Sequence, residues 1–296
     1  MNRRELLKVL GIAGLAACAR KSDDGEGAAK VDTGTDTTAG AGAAPARLAD
    51  APVGIQLYTL RDALAKETER TLAALGEIGY QEVELAGLYG LSAAAMRALL
   101  DKHGLTAPSG HIPLDQFRTN LPRTLEEAAT LGHRYVVCPW LDEKDRTADG
   151  YKRLAETLNT AGERARQANM QVAYHNHEFE FAALGDQTAY DMLLAECDPQ
   201  LVKMELDLFW ITTAGKDPLA YFTKHPGRFP LVHVKDRAAD GKMVDVGQGA
   251  MDYKNLLARA SAEGGTRHFF VEHDNPADPI ATARTSFAGL KAALKG

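Results

Sequence analysis

Cysteine is scarce in this chain: there are three in 296 residues, and no C-x-x-C pair. That excludes a disulfide scaffold and a thiolate zinc knuckle. Cys138 sits in an apolar run and reads as a small core residue. A surplus of basic charge is also missing. Lys and Arg total 34 against 40 Asp and Glu, a net charge of −6. No Lys/Arg stripe interrupts the acidic background, so a nucleic-acid partner is not expected. There is no P-loop and no Gly-rich strand–helix turn dedicated to phosphate. "VGQG" at 246–249 has too few glycines and the wrong context, and is expected to shape a loop near the functional site.

What is present divides into three unequal parts. Residues 1–18, "MNRRELLKVLGIAGLAAC", read as a targeting segment. Their apolar run is too short to span a bilayer as a mature helix. Arg3 and Arg4 with "ELLK" resemble a twin-arginine export signal, and "LAAC" resembles a bacterial lipobox whose Cys18 is acylated after cleavage. The expectation is export to the periplasmic face of a bacterial membrane, with lipid on Cys18 as the sole attachment. Residues 19–49 are a Gly/Ala/Thr/Asp tract without apolar periodicity and read as a disordered tether. Residues 50–296 match the ~250 residues of a single α/β barrel.

That last part alternates short apolar runs with longer helical patterns. Strands are expected at 53–58, 82–86, 105–110, 135–139, 171–176, 201–207, 231–235 and 268–273. The clearest helical patterns are 66–79, 91–104, 122–132, 151–169 and 253–265, several ending on Gly. Eight such units predict an α/β fold, a single-domain (β/α)8 TIM barrel over 50–296, with an open doubly wound sheet as the alternative. In such a barrel the side chains at the C-terminal strand ends converge on one mouth, where active sites lie.

The strand ends are rich in ionisable groups. Strand two offers Glu84 and strand three His111. "VAYHNHEFEF" at strand five carries His175, His177, Glu178 and Glu180. Strand six adds Glu205 and Asp207, strand seven His233, Lys235 and Asp236, and strand eight Glu272, His273 and Asp274. Residues two apart on a strand share a side, which pairs His175 with His177 and His233 with Lys235. Two bare carboxylates ~4 Å apart repel by about 4 kcal/mol at an effective dielectric near 20. Lys235 could neutralise one of Asp207 and Glu272. A divalent ion with carboxylate and imidazole ligands answers the arrangement better, and mixed O/N ligands suit Mn²⁺, Co²⁺, Zn²⁺ or Mg²⁺ without choosing among them.

"GIQLYTLRD", "AYHNHEFEF", "MELDLFW", "LVHVKD", "VGQGAMDY" and "FFVEHD" together resemble the sugar phosphate isomerase/epimerase family, the xylose-isomerase-like TIM barrels, over residues 52 to about 290. The resemblance implies a metal-dependent enzyme acting on sugars, ketosugars or cyclitols, with one divalent ion held from strands five to eight. By position, Asp207, His233 and Glu272 match the last three ligands. The first is a glutamate in epimerases of the group, whereas here His175 occupies the slot. His175 is taken as ligand and His177 as acid/base or substrate contact, with the reverse left open. Glu272 is a further base candidate, and Lys235 a candidate for binding a substrate oxygen or pairing with Asp236 or Glu205. Glu84, His111, Glu180 and Trp210 are expected to meet substrate; Trp210 and Phe209 offer an apolar face to a sugar ring, with core packing as the alternative for both. His103, His133, His225 and His268 read as ordinary.

The expected chemistry is proton abstraction beside a carbonyl, giving isomerisation or epimerisation. With imidazole replacing one of two opposed carboxylates, β-elimination or dehydration of a keto-glycoside or inosose-like substrate is the alternative. A non-catalytic exported sugar-binding barrel and a relative of the barrel-fold apurinic-site endonucleases are the rivals from other classes. The substrate class is a small carbohydrate; the oligomeric state is left open.

Overall fold

Eight short strands carry the structure, a computed structural model that describes residues 47–295. They are β1 (Val53–Gln56), β2 (Glu82–Leu85), β3 (Thr106–His111), β4 (Tyr135–Cys138), β5 (Gln171–His175), β6 (Val202–Asp207), β7 (Leu231–Val234) and β8 (His268–Val271). Each coincides with an expected strand. All pair in parallel in the order β1-β8-β7-β6-β5-β4-β3-β2, and β1 closes onto β2. The closure removes the open-sheet alternative. The expected export segment with Cys18, and residues 19–46 of the tether, lie outside the described residues. The tether's last residues do not: Leu48–Asp50 form a 3₁₀ turn, and Leu48 packs against the core.

The helices form because an apolar stripe and a cap coincide. In Ala148–Gln167, Thr147 Oγ1 accepts the Gly150 N–H, satisfying one free donor of the first turn. Tyr151, Leu154, Ala155, Leu158, Ala161 and Ala165 then recur at helical spacing and are buried against the barrel. The first helix begins at Arg61, earlier than expected, with non-helical backbone at Glu67 that breaks its regular period. No helix among the described residues is long and apolar enough to cross a membrane.

Inside the barrel, alternation sorts side chains into two layers. Tyr135, Val137, Ala173, Leu231 and Phe270 form an apolar plug at the N-terminal end. Gly54 belongs to this layer, since a Cβ there would stand 2.5 Å from the Phe270 ring. One step further along each strand, the layer above is almost wholly polar. Register places His175 beside Glu205, Asp207 beside His233, and Gln56 beside Glu84.

The loop after β7 explains "VGQG". Asp236, fully buried, turns its carboxylate into this loop and accepts the Gly247 N–H at 2.8 Å and the Gly249 N–H at 3.1 Å. A Cβ on Gly249 would stand 2.0 Å from Asp236 Oδ1. An internal anion therefore consumes the amides that a phosphate would need.

Candidate functional site

The polar layer is a buried cluster of carboxylates and imidazoles. Glu84, Glu205, Asp207 and Glu272 are all buried, with Lys235 the ammonium among them. His233 is the hub. Its Nε2 lies 2.6 Å from Glu84 Oε2, and its Nδ1 lies 2.7 Å from Glu272 Oε2 and 4.0 Å from Asp207 Oδ2. Glu84 is itself held by Gln56 Nε2 at 2.7 Å. Lys235 Nζ sits 3.0 Å from Asp207 Oδ2, 2.8 Å from Glu272 Oε2 and 2.9 Å from Asp274 Oδ1. The expected pairing of Lys235 with Asp236 or Glu205 does not occur, because Asp236 faces the β7 loop and Glu205 faces histidines. Glu205 Oε2 is shared by His111 at 2.8 Å, His233 at 3.2 Å and His175 at 3.3 Å.

The environment separates these groups by proton affinity. Burial alone would lower the His111 imidazole, but Glu84 and Glu205 outweigh it and lift His111 to about 9. Burial likewise opposes protonation of His233, and Glu205 and Glu272 overcome it, holding His233 well above the histidine range. His175 goes the other way: burial, then the charge on His233, pushes it well below that range. It is a neutral imidazole with a lone pair, and its Nδ1 makes no hydrogen bond. Burial raises Asp207 to about 6 against the opposing pull of Lys235. Glu272 is opposed by burial but stabilised as a carboxylate by Lys235 and His233, and lies well below the usual range.

Two overlapping sets of donors suit a metal ion. One is His175, Asp207, His233 and Glu272; the other is His111, His175, Glu205 and His233, and within each the donor atoms lie within 4.8 Å of one another. Four tetrahedral ligands at ~2.1 Å stand roughly 3.4 Å apart, so a small contraction suffices. The first set fits better. His175 turns its Nε2 toward Asp207 Oδ2 at 4.0 Å, and His233 Nδ1 approaches the same oxygen at 4.0 Å, whereas His111 is already spent as a cation on Glu205. Glu84 on Nε2 of His233 also leaves Nδ1 directed at Asp207 and Glu272, which is how a carboxylate orients a metal-binding histidine.

Above the cluster opens a cavity of about 450 Å³. His111, His175, His177, Trp210, Lys235 and Glu272 reach it, with Asp274 and Asn275 at its rim. Trp210 lines this space, with its Nε1 buried and without a hydrogen-bond partner, while Phe209 is core. Of the histidines read as ordinary, His133 bonds the Ala107 carbonyl and His268 pairs with Glu82, both away from the cluster.

Three expected roles are corrected. Glu84 is fully buried beneath the cavity, so it orients His233 and His111 rather than meeting substrate. Glu180 also misses the cavity. The strand ends at His175, and the 3₁₀ turn Phe179–Phe181 rotates Glu180 inward, where it accepts the Tyr174 hydroxyl at 2.6 Å and the His177 N–H at 2.7 Å. His177 is not poised near neutral pH: burial and Lys235 push it down to about 3, so it enters the cavity as a neutral imidazole. Residues missed in the sequence are Gln56, Tyr58, Trp140 and Arg146, and Glu205, collected at its strand end, was not given its role as partner of three histidines. Trp140 follows the strand-end rule and was open to it; Arg146 lies in a loop with no local signal.

Burial raises Glu180 to about 8, only partly offset by its hydrogen bonds to Tyr174 and His177. An unfolded glutamate titrates near 4.3. The folded protein therefore holds this proton more tightly, so the associated stability is full below about pH 4.3 and is lost as pH rises toward 8. In metal-free protein, the melting temperature should fall across that window by several degrees more than in Glu180→Gln. Parallel pH profiles for the two proteins would contradict this.

Residues 72–293 match the family model for the xylose isomerase-like TIM barrel. The chain belongs to that family. Inosose dehydratase from Lacticaseibacillus casei is 29% identical over 200 residues, covering 58% of this chain and 65% of the relative; the match thus spans less than two thirds of that relative's length. A sugar phosphate isomerase/epimerase from Parabacteroides distasonis superposes with a TM-score of 0.72 at 25% identity, covering 87% of this chain and 98% of its own. The IolI protein, solved with a bound zinc atom, shares the fold at 17% identity, with a TM-score of 0.66 over 82% of this chain and 98% of that one.

Proposed function

We propose that this chain is a divalent-metal-dependent enzyme that removes a proton beside the carbonyl of a ketosugar or cyclitol and expels the β-substituent, a lyase of the dehydratase type. The observation that carries the reading is the asymmetry of the cavity. Glu272 is the member of the four-donor set that brings an ionised carboxylate to it, Lys235 stands 2.8 Å away as an ammonium, and β5 contributes imidazoles where two-base chemistry favours a second carboxylate. The likeness to an inosose dehydratase points the same way.

His175, Asp207, His233 and Glu272 would hold the ion, with Glu84 fixing the ring of His233. A bound dication supplies positive charge next to the carbonyl and a neighbouring hydroxyl, where negative charge develops. The protein's own groups account for the protons. Glu272 accepts the α-proton, and the electron pair of the broken C–H bond moves into the carbonyl to give an enediolate. Reforming the carbonyl creates the α,β double bond and breaks the β-carbon–oxygen bond. Lys235 gives the departing oxygen its proton, and does so more readily once Glu272 is neutral, because the ammonium has lost one of its three stabilising carboxylates. His177 offers a hydrogen bond to a ring hydroxyl, and Trp210 lends its ring as an apolar wall.

A second reading, isomerase or epimerase, is favoured by the likeness to the Parabacteroides distasonis structure over nearly its full length. The two are separated by metal quantification followed by incubation with keto-inositols and ketosugars in deuterated water. The expected result is one equivalent of divalent metal and an unsaturated ketone detected by ultraviolet absorbance. Deuterium exchange with sugar interconversion and no unsaturated product would favour the second reading. A protein that retains no divalent metal and exchanges no proton even when metal is supplied would sink both.

A further inference from the structure

Two large apolar side chains stand exposed among the described residues, Tyr58 at 44% and Trp140 at 45%, and both line the rim of the cavity. They enter from different sides. Tyr58 follows β1 and Trp140 follows β4, with β2 and β3 between them in the barrel.

Both rings are held in place. The Arg61 guanidinium lies 4.1 Å from the Tyr58 ring centre and is fixed by the Asp274 carbonyl at 2.8 Å and Asn275 Oδ1 at 3.2 Å. Arg146 lies 4.6 Å from the Trp140 ring and 3.4 Å from Phe179, and donates to the Leu141 carbonyl at 3.0 Å. Each exposed ring thus has a guanidinium against it while part of its surface stays open to the cavity. Trp140 continues inward, edge to face with His177 at 4.8 Å, and His177 leads on to Trp210 at 5.9 Å. The aromatic lining therefore runs from the rim to the floor beside Lys235. A preorganised, exposed aromatic ring loses little freedom on binding and suits the apolar face of another ring.

We infer that the substrate has two rings. The reacting sugar lies on the floor between Trp210 and the Lys235–Glu272 pair, and a second ring, the glycosidically linked leaving group, is clamped at the rim between Tyr58 and Trp140. This rests on the sugar-lyase reading above and narrows its substrate to a glycoside. The bond that breaks joins the β-carbon to the glycosidic oxygen. That oxygen leaves with the bonding pair and the Lys235 proton, so the second ring departs as an alcohol or phenol in place of water.

The test is calorimetric binding to the metal-loaded full chain, with D-glucose as the one-ring probe and cellobiose and phenyl β-D-glucopyranoside as two-ring probes. At least one two-ring probe should bind about tenfold or more tightly than glucose, and which one does so tells a sugar from an aryl ring. Trp140→Ala and Tyr58→Ala should each weaken that probe at least tenfold more than they weaken glucose, and Trp140→Phe should recover most of the loss. Equal affinity for one and two rings, or equal weakening of both by the alanine variants, would overturn the two-ring inference and leave the lyase reading standing. Absence of binding by every probe would also overturn the two-ring inference, while the lyase reading is decided by the keto-substrate incubation above.

Discussion

Asp207→Asn is expected to give a folded protein that no longer retains a divalent ion and turns over substrate at least about a thousandfold more slowly. Asparagine keeps the shape and one role of the native side chain. Asp207 Oδ1 accepts the Trp210 N–H at 2.8 Å and so starts the helix Leu208–Thr213, and an amide oxygen can do the same. What it cannot keep is the charge on Oδ2, the buried oxygen that stands 3.0 Å from Lys235 Nζ and faces His175 and His233 at 4.0 Å. An amide N–H₂ there would point donors at an ammonium. Removing a residue that merely orients a ligand weakens metal binding by about 10–100-fold, and removing a ligand does more. Metal quantification on the purified variant, with a thermal melt to confirm folding, checks this. A variant holding stoichiometric metal and within about tenfold of normal activity would remove Asp207 from the site.

Lys235→Met should be the most destabilising single change in the cluster. The ammonium is 1% exposed and contacts three carboxylates at 2.8–3.0 Å, from Asp207, Glu272 and Asp274. Methionine fills similar space without the charge, leaving three anions facing an apolar group. Breaking a buried charge pair costs about 3–5 kcal/mol. For a domain of this size that is a fall of roughly 6–20 °C in melting temperature. A structural role and a catalytic one separate in the same experiment. Added divalent metal should restore part of the melting temperature, because it binds the folded state and supplies the missing positive charge. Under the proposed lyase chemistry, elimination should remain lost, because the departing oxygen would have no proton donor. A melting temperature within ~2 °C of the native protein would show that Lys235 does not hold these carboxylates together.

Much of this architecture was legible in the linear chain. The strands were readable because parallel barrel staves, buried on both faces, are written as short apolar runs between helical patterns. Asp207, His233 and Glu272 were collected from their strand ends and His175 was added by the family resemblance; the closed barrel brings all four into one cluster. The strand-end rule misled where the strand had already stopped. Beyond His175 the backbone enters a 3₁₀ turn, the period changes, and Glu180 swings away from the cavity toward Tyr174. Glu84 misled for a different reason: it keeps the right face but sits beneath the cavity floor, walled over by His111 and His233.

The residues alone determined how many staves there are and which side chains point into the barrel, because both follow from local periodicity within a few positions. Which carboxylate meets which imidazole was decided by closure, since partners such as Glu84 and His233 lie 149 residues apart and meet only when β1 joins β8. Proton affinity followed from the same event. His111 and His175 are chemically identical and both face Glu205, yet one is raised and the other lowered. The difference comes from the burial and the neighbouring charges that each histidine meets in the closed barrel.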